Sequence, residues 1–248
     1  MNKKGLALVM GLVVGSGAWA QDSAEDVGRF TLGAVAVPTP WRVIRLSERV
    51  PPTGYQMRTW DGVAAVEAVA NASMALLARP LEVDLRRTPV LCWRWRVDAP
   101  LATADMATKK GDDYAARVYV AFNLPSGTMS LATRTKLALA RSIFGQSVPD
   151  AAISYVWDNR YPVGTRRPNA YTDRTQMIGL RSGPRQAGSW VVERRDILAD
   201  VAQAFGTDRV RPVFLAVAAD TDNTGENARS CFADLHFVAR QVDCGFPQ

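Results

Sequence analysis

The chain has 248 residues, a formal net charge of +6, 48% hydrophobic residues and 22% charged residues. This balance is typical of a globular protein and argues against a disordered chain. Glycine-rich dinucleotide fingerprints and phosphate-loop motifs are absent from the sequence, so hydride and phosphoryl transfer are not expected. The one histidine excludes multi-histidine metal centres, and a Ser-His-Asp triad would have to be built around His236.

The first twenty residues predict a secretory signal peptide. A short basic region at residues 2–4 precedes an apolar run at 5–17, and Ala18-Trp19-Ala20 supplies the small residues that signal peptidase needs. We expect cleavage after Ala20 and a periplasmic or secreted mature chain, residues 21–248, that forms a single domain. No segment approaches the roughly 18 uninterrupted apolar residues of a membrane span, so no transmembrane segment is expected in the mature chain.

Three cysteines, Cys92, Cys231 and Cys244, predict one disulfide and one free thiol in an oxidising compartment. A bridge between Cys231 and Cys244 would attach the C-terminal tail to the last strand. A bridge between Cys92 and Cys231 would join two strands, and the sequence does not choose between these pairings. A zinc site made of the cysteines and His236 matches no standard ligand spacing.

Short alternating segments separated by Gly, Pro and Asp clusters predict an all-β fold. Asp61-Gly62 is a strong hairpin signal between segments 55–60 and 63–69. Further strands are expected at 90–97, 115–122, 153–157, 177–181, 213–219 and 231–238, with another candidate at 188–192. Helices are predicted at 131–144 and at 196–205, the second ending at Gly206. The expected fold is a jelly-roll-like antiparallel β-sandwich with one or two short helical insertions.

The segment "LCWRWRV" alternates tryptophan and arginine. Trp93 and Trp95 share one face, which is expected to be core, and Arg94 and Arg96 share the other. Arginine pairs with carboxylates and stacks on aromatic rings, so Arg96 is a candidate ligand contact on the wall of a groove. An ion-paired or solvated sheet face is the alternative.

Alternation also assigns faces on two other predicted strands. Tyr155 and Trp157 share a face, where they form either a platform for a sugar ring or, as is commoner for aromatic residues on sheets, part of the core. On the last strand, alternation places His236 on the same side as Phe232 and Asp234. There a structural role is expected for the histidine.

The segment "KKGDDYAARVYVAF" begins with a carboxylate pair and continues into a strand whose polar face carries Arg117 and Tyr119. Two carboxylates point to acid–base catalysis if one pKa is raised and the other is ordinary. Neighbours on a strand point in opposite directions, so we expect Asp112 or Asp113 to pair with an arginine of a neighbouring strand. Ligand or ion binding is the third interpretation of the pair.

The segment "DTDNTG" concentrates oxygen ligands between two strands. Calcium binds six to eight oxygens and often uses a glycine to bend the loop, so Asp220 and Asp222 are candidate calcium ligands. The full helix–loop–helix calcium pattern is missing, and Asx turns alone explain the composition. Without an ion, Asp220, Asp222 and Asn223 are candidates for direct ligand binding.

Four segments in this order, "WRWRVD", "KKGDDYAARVYVAF", "ISYVWDN" and "AADTDNTGENARSCFADLHF", resemble a secreted bacterial family catalogued as domain of unknown function 3047. The resemblance covers about Trp41 to Val238. It implies a jelly-roll-like β-sandwich similar in outline to carbohydrate-binding modules, with no established activity. The family's acidic motifs correspond here to Asp112, Asp113, Arg117, Asp220, Asp222 and Asn223.

Three functional hypotheses follow. The first is an exported, non-catalytic protein that binds a glycan or another polar envelope ligand; its contacts would be Arg96, Asp113, Arg117, Tyr119, Trp157, Asp220, Asp222 and Asn223. The second is a polysaccharide hydrolase or lyase that pairs Asp112 or Asp113 with Asp220 or Asp222. The third is an envelope interaction protein that uses residues 160–195, where eight arginines stand against two acidic residues. No nucleic acid partner is expected for an exported chain.

Overall fold

The computed structural model describes residues 24–144 and 148–246, and the predicted signal peptide lies outside them. The described chain contains thirteen strands and two α-helices. The strands are β1 (Glu25–Gly28), β2 (Arg42–Ile44), β3 (Gly54–Trp60), β4 (Val63–Asn71), β5 (Leu76–Pro80), β6 (Val90–Val97), β7 (Tyr114–Asn123), β8 (Ala151–Asp158), β9 (Arg166–Asn169), β10 (Thr172–Ser182), β11 (Val191–Asp196), β12 (Arg211–Asp220) and β13 (Asn227–Val238). The helices are α1 (Leu131–Phe144) and α2 (Ile197–Phe205), and short 3-10 turns lie at Lys109–Gly111 and Ser126–Thr128.

Two sheets pack face to face, which confirms the predicted all-β sandwich. The six-stranded sheet has the order β11-β6-β13-β4-β3, with β1 also paired to β13. The seven-stranded sheet has the order β2-β5-β12-β7-β8-β10-β9. In the described chain every strand pair is antiparallel except β8 with β10, which run parallel because β9 and its connections carry the chain back before β10 begins. The seven-stranded sheet is therefore mixed, where a purely antiparallel arrangement was expected.

Aromatic side chains from both sheets fill the space between them. Trp93 and Trp95 of β6 are fully buried, with ring centroids 5.6 Å apart. Trp93 contacts Tyr155 at 5.4 Å, and Trp95 contacts Trp157 at 5.9 Å. Such pairs stabilise a core beyond the burial of their area. The expected core face of β6 is confirmed, and of the two interpretations of Tyr155 and Trp157 the structure shows the core one.

Local sequence signals account for the predicted turn and helix ends. Asp61 and Gly62 have φ values of 52° and 78°, the two positive angles that a tight hairpin turn needs. The carboxylate of Asp196 accepts the N–H of Ala199 and caps the start of α2, while Gly206 at φ 69° ends it. In the described residues, no helix has the length and apolar character to cross a membrane.

The disulfide joins Cys92 to Cys244, with a Cα–Cα distance of 5.8 Å, and Cys231 is a buried free thiol. Neither pairing considered from the sequence forms. In the strand register Cys231 lies opposite Arg96, four residues along β6 from Cys92, so the two sulfurs are too far apart to bond. The tail after β13 instead folds back over Cys92.

A bulge in β13 changes the face on which His236 lies. Asp234 has a φ of 54°, and the pairing register shifts between Ala233 and His236. Phe232 therefore faces the core, whereas His236 lies opposite Cys92 on the outer side, contrary to the expected shared face. The ring is fully buried and contacts two backbone carbonyls, through Nδ1 to Asp234 and through Nε2 to Cys244. The expected structural role is confirmed.

Candidate functional site

A cleft of about 510 Å³ lies on the outer face of the seven-stranded sheet. Its floor comes from β12, β7 and β8. The strand alternation of β7 points Val118 into the core, so Arg117 and Tyr119 face the cleft. The rim combines the loop after β2, the turn between β9 and β10, and the loop at residues 221–225. Lining residues on the rim include Leu46, Ser47, Asn169, Tyr171, Asp222 and Asn223.

Arg117 is the buried centre of the site. Its Nε donates to Asp220 Oδ1 at 2.8 Å, and its Nη2 lies 2.7 Å from Asp220 Oδ2. The same Nη2 contacts Asp112 Oδ1 at 3.1 Å and donates to the Asp112 backbone carbonyl. Burial disfavours the charged guanidinium and is the largest single effect on it, but the combined attraction of Asp220, Asp112 and two nearby tyrosines exceeds it and raises the pKa of Arg117. The predicted acid–arginine pair exists, although its arginine lies five residues along the same segment as Asp112.

Asp113 holds the loop at 221–225. Its Oδ2 accepts the backbone N–H of Asn223 at 2.9 Å and that of Thr224 at 2.6 Å, together with the Thr224 hydroxyl at 2.9 Å. Its Oδ1 accepts the side-chain amide of Asn223 at 2.9 Å. The side chain is fully buried. The residues of "DTDNTG" therefore form a turn. The Asp113 carboxylate, from the other half of the chain, holds that turn in place.

Three carboxylates cluster at this loop, and each offers an oxygen within 4.8 Å of the others: Asp113, Asp220 and Asp222. Burial raises the pKa of Asp220 to about 7; Arg117 opposes this effect and the charge of Asp113 adds to it. Burial and then the charge of Asp113 also raise the pKa of Asp222. Asp222 is the exposed member of the three, and it forms no ion pair with the described residues.

The cluster does not fit a preformed calcium site. Calcium takes six to eight oxygens that are free to coordinate it. The oxygens of Asp113 already accept four hydrogen bonds, and those of Asp220 bind Arg117 and the N–H of Tyr114. A divalent cation on Asp220 would also meet the positive charge of Arg117. Asp222 alone presents an exposed carboxylate, so we derive no step that uses calcium.

Two rim residues were not identified from the sequence. Asn169 donates through Nδ2 to Asp112 Oδ2 at 2.5 Å, and the Tyr171 hydroxyl donates to Asn223 Oδ1 at 2.7 Å. Tyr171 is 55% exposed and lines the cleft, and the Lys109 ammonium lies over its ring, 5.1 Å from the centre. Both residues lie at the turn between β9 and β10. The Asn-Ala-Tyr turn was the available signal, but nothing in it shows which loop it faces.

Two predicted contacts lie away from the cleft. Arg96 is on the outer face of the six-stranded sheet, across the sandwich, where its Nη1 is 2.6 Å from Asp61 Oδ2 and its guanidinium stacks 4.4 Å from the centre of the Trp60 ring. The two alternatives for this face of β6 were the wall of a ligand groove and an ion-paired sheet face. The structure shows the ion-paired face. Trp157 is 1% exposed between the sheets and has no free ring for a ligand. The alternation of side chains correctly predicted the face on which Arg96 and Trp157 each lie. It could not predict which other residues cover that face.

Four of the eight arginines in the stretch 160–195 form ion pairs within the fold. Asp200 alone contacts two of its arginines and also accepts the Tyr155 hydroxyl at 2.7 Å. The ion pairs are Arg160–Asp105 at 2.5 Å, Arg166–Asp200 at 2.5 Å, Arg181–Glu193 at 2.6 Å and Arg195–Asp200 at 2.6 Å. The other four arginines, Arg167, Arg174, Arg185 and Arg194, form no ion pair with the described residues, so the stretch keeps part of its positive charge.

Fold and site define a β-sandwich protein with a polar cleft on the outer face of one sheet. Residues 39–236 match the family described as "Protein of unknown function (DUF3047)", and the protein belongs to that family. A comparison with curated proteins returns no match. Among solved structures, the chain is similar to the xyloglucanase domain of NopAA, a type three effector from Sinorhizobium fredii, in complex with cellobiose; the TM-score is 0.34 and the identity 8%, over 83% of this chain and 100% of that one.

Proposed function

We propose that this protein is an exported, non-catalytic binding protein whose cleft holds a glycan. The observation that carries the proposal is an exposed carboxylate, Asp222, beside an exposed aromatic ring, Tyr171, at the rim of a cleft of about 510 Å³. Sugars present hydroxyl groups that donate to carboxylates and C–H faces that pack on aromatic rings. Tyr119 and Phe214 add a partly apolar floor. Concave sites with a few converging polar groups are typical of small-ligand binding.

The buried network beneath the rim prepares the site for a ligand. Asp113 fixes Asn223, and Arg117 ties the start of β7 to the end of β12 through Asp220. A rim that is ordered before binding avoids the entropic cost of ordering it afterwards. We therefore assign direct contacts to Asp222, Asn223 and Tyr171. Arg117 and Asp113, predicted as contacts, act in this proposal as positioning residues.

The occupied carboxylates favour binding over catalysis. Glycoside hydrolysis needs two carboxyl groups within reach of the substrate. Asp113 is fully buried, and Asp220 is 3% exposed and paired with Arg117. Asp112 is likewise held by Arg117 and Asn169. Only Asp222 is exposed, which leaves a substrate one carboxylate where the reaction needs two.

A polysaccharide hydrolase or lyase is the second candidate, and one observation favours it. Asp220 and Asp222 have oxygens within 4.8 Å of each other, and burial raises the pKa of Asp220 to about 7. A carboxyl group that keeps its proton near neutral pH is what a general acid requires. Release of reducing ends or unsaturated sugars from polysaccharide, lost in Asp222→Asn, would establish this activity in place of simple binding.

The proposal is tested by calorimetric titration of the protein with a panel of neutral oligosaccharides. Asp222→Asn and Tyr171→Ala should each weaken binding about five- to tenfold, since each removes a rim contact worth about 1–1.4 kcal/mol. Asp208→Asn makes the same charge change at an exposed site outside the cleft and should leave the affinity unchanged. Equal affinities in all four proteins would refute the cleft as the binding site.

A further inference from the structure

A second cavity, of about 670 Å³, adjoins the cleft on the same face of the seven-stranded sheet. The two cavities share four lining residues, namely Leu46, Leu76, Pro149 and Phe214. The four shared side chains place the two cavities next to each other on this face. We refer to the two adjoining cavities together as the groove, of which the candidate site is one half.

The groove crosses five neighbouring strands. Its lining begins at Arg42 on β2, passes Ala78 on β5 and Phe214 on β12, and continues over Tyr119 on β7 to Ala152 on β8. These strands are consecutive in the sheet, so the groove spans four interstrand spacings. At about 4.8 Å for each spacing, its length is roughly 19 Å. Such a length accommodates a chain of several sugar rings.

The two ends of the groove carry opposite charge. The first end has Asp112, Asp220 and Asp222 around Arg117. At the other end Arg42 is exposed, and its side chain forms no hydrogen bond or ion pair with the described residues. Arg79, by contrast, lies opposite the core residue Leu215 in the strand register, so its side chain leaves the outer face and donates to the backbone carbonyls of Val27 and Pro80.

Among the described residues no carboxylate pairs with the Arg42 guanidinium, whereas the other exposed arginine of that end, Arg45, pairs with Glu48 at 2.7 Å. An anion bound beside Arg42 would supply the missing partner. Guanidinium groups bind carboxylate and phosphate through paired, charge-assisted hydrogen bonds. The second end of the groove is thus complementary to a negatively charged group.

We propose that the ligand of this groove is an oligosaccharide that carries an anionic group, with that group at Arg42 and neutral sugar hydroxyls at Asp222. This inference rests on the proposed glycan-binding function and names its substrate class. The charge difference also fixes the direction in which the chain lies, because the acidic end repels the anion that Arg42 attracts. Between the ends, Ile44, Ala78 and Phe214 offer apolar surface to the C–H faces of the rings.

The experiment compares oligogalacturonate with neutral galactose oligomers of the same length, by calorimetric titration at low and at moderate salt. A galactose oligomer with one terminal phosphate forms a third arm and distinguishes phosphate from carboxylate as the anion. The variants are Arg42→Gln and, as the matched control, Arg49→Gln. Arg49 is exposed in the same segment and has the same charge, but it does not line the groove.

Wild-type protein should bind at least one anionic oligomer more tightly than its neutral counterpart, and added salt should reduce the difference. Arg42→Gln should weaken binding of the anionic oligomer about three- to tenfold and leave the neutral oligomer unchanged. Arg49→Gln should alter neither. Equal binding of neutral and anionic oligomers, sensitive to Asp222→Asn but not to Arg42→Gln, would overturn this inference while the proposed function stands. Absence of binding in every arm would overturn both.

Discussion

Asp113 and Asn223 are 110 positions apart in sequence, yet one carboxylate accepts both the backbone N–H and the side-chain amide of the asparagine, each at 2.9 Å. This contact joins the segment before β7 to the loop after β12. It holds the rim of the cleft in the conformation that presents Asp222 outward. The acidic segments around Asp113 and Asp222 are thus linked to each other before any ligand arrives.

Removal of the Asp113 carboxylate should destabilise the protein. Asp113→Ala leaves the N–H groups of Asn223 and Thr224 without their acceptor, and unsatisfied buried donors are costly. We expect a loss of about 2–4 kcal/mol in the free energy of unfolding, measured by urea denaturation. Asp222→Ala, which removes an exposed carboxylate of the same cluster, should stay within about 0.5 kcal/mol of the wild type. Similar losses in both variants would contradict the anchoring role.

Arg117 and Asp220 should behave as a coupled pair. Arg117→Met removes the charge that opposes burial at Asp220, so that carboxyl group must either stay charged without a partner or take up a proton, and the change should cost about 3–5 kcal/mol of stability. Asp220→Asn in the same chain removes the ionisable group, so the double variant should recover part of the loss. A double-mutant cycle in chemical denaturation measures the coupling. Strictly additive effects would show that the two side chains act independently.

Asp220 gives the protein a dependence on pH below neutrality. Its ordinary pKa of 3.8 is raised to about 7 in the folded protein, mainly by burial. A raised pKa means that the folded state holds the proton more tightly, so this contribution to stability is complete below about pH 4 and is lost as pH rises towards 7. Carboxyl ¹³C NMR should show a resonance, absent in Asp220→Asn, that titrates near pH 7. Titration of that resonance near pH 4 would contradict the assignment.

Calcium should have little effect on stability. An ion present at 100 times its dissociation constant adds about 2.7 kcal/mol, which is several degrees in melting temperature for a domain of this size. Because protein donors occupy Asp113 and Asp220, we expect a change of less than about 1 °C between excess EDTA and millimolar calcium. A larger shift in melting temperature, abolished by Asp222→Ala, would show that the loop does bind calcium.

Much of the sandwich was predictable because its signals are local. Asp61-Gly62 specifies a two-residue turn, and the alternation of Trp93 and Trp95 specifies the core face of β6. The bulge at Asp234 was not predictable, since a residue with positive φ inside a strand reverses the alternation on which the face of His236 depended. Short strands such as β2 and β9, of three and four residues, carry too little pattern to be recognised.

The candidate site was predictable as a set of residue types more than as an arrangement. The sequence identified Asp113, Asp220 and Asp222, but not that Asp113 would point into the loop that contains the others. Alternation placed Arg96 on the polar face of its strand, and only the assembled sheets show that this face lies across the sandwich from the cleft. Which loops converge depends on strand order, and strand order has no signature in a single segment.

The most direct test of ligand binding in the cleft is amide NMR of the labelled protein during titration with an oligosaccharide that it binds. We expect the amide shifts to concentrate at Asn169, Tyr171, Asp222 and Asn223, along the rim of the cleft, and to extend towards Arg42 when the oligosaccharide is anionic. Shifts that instead cluster around Trp60 and Arg96, on the outer face of the six-stranded sheet, would contradict the central claim that the cleft is the binding site.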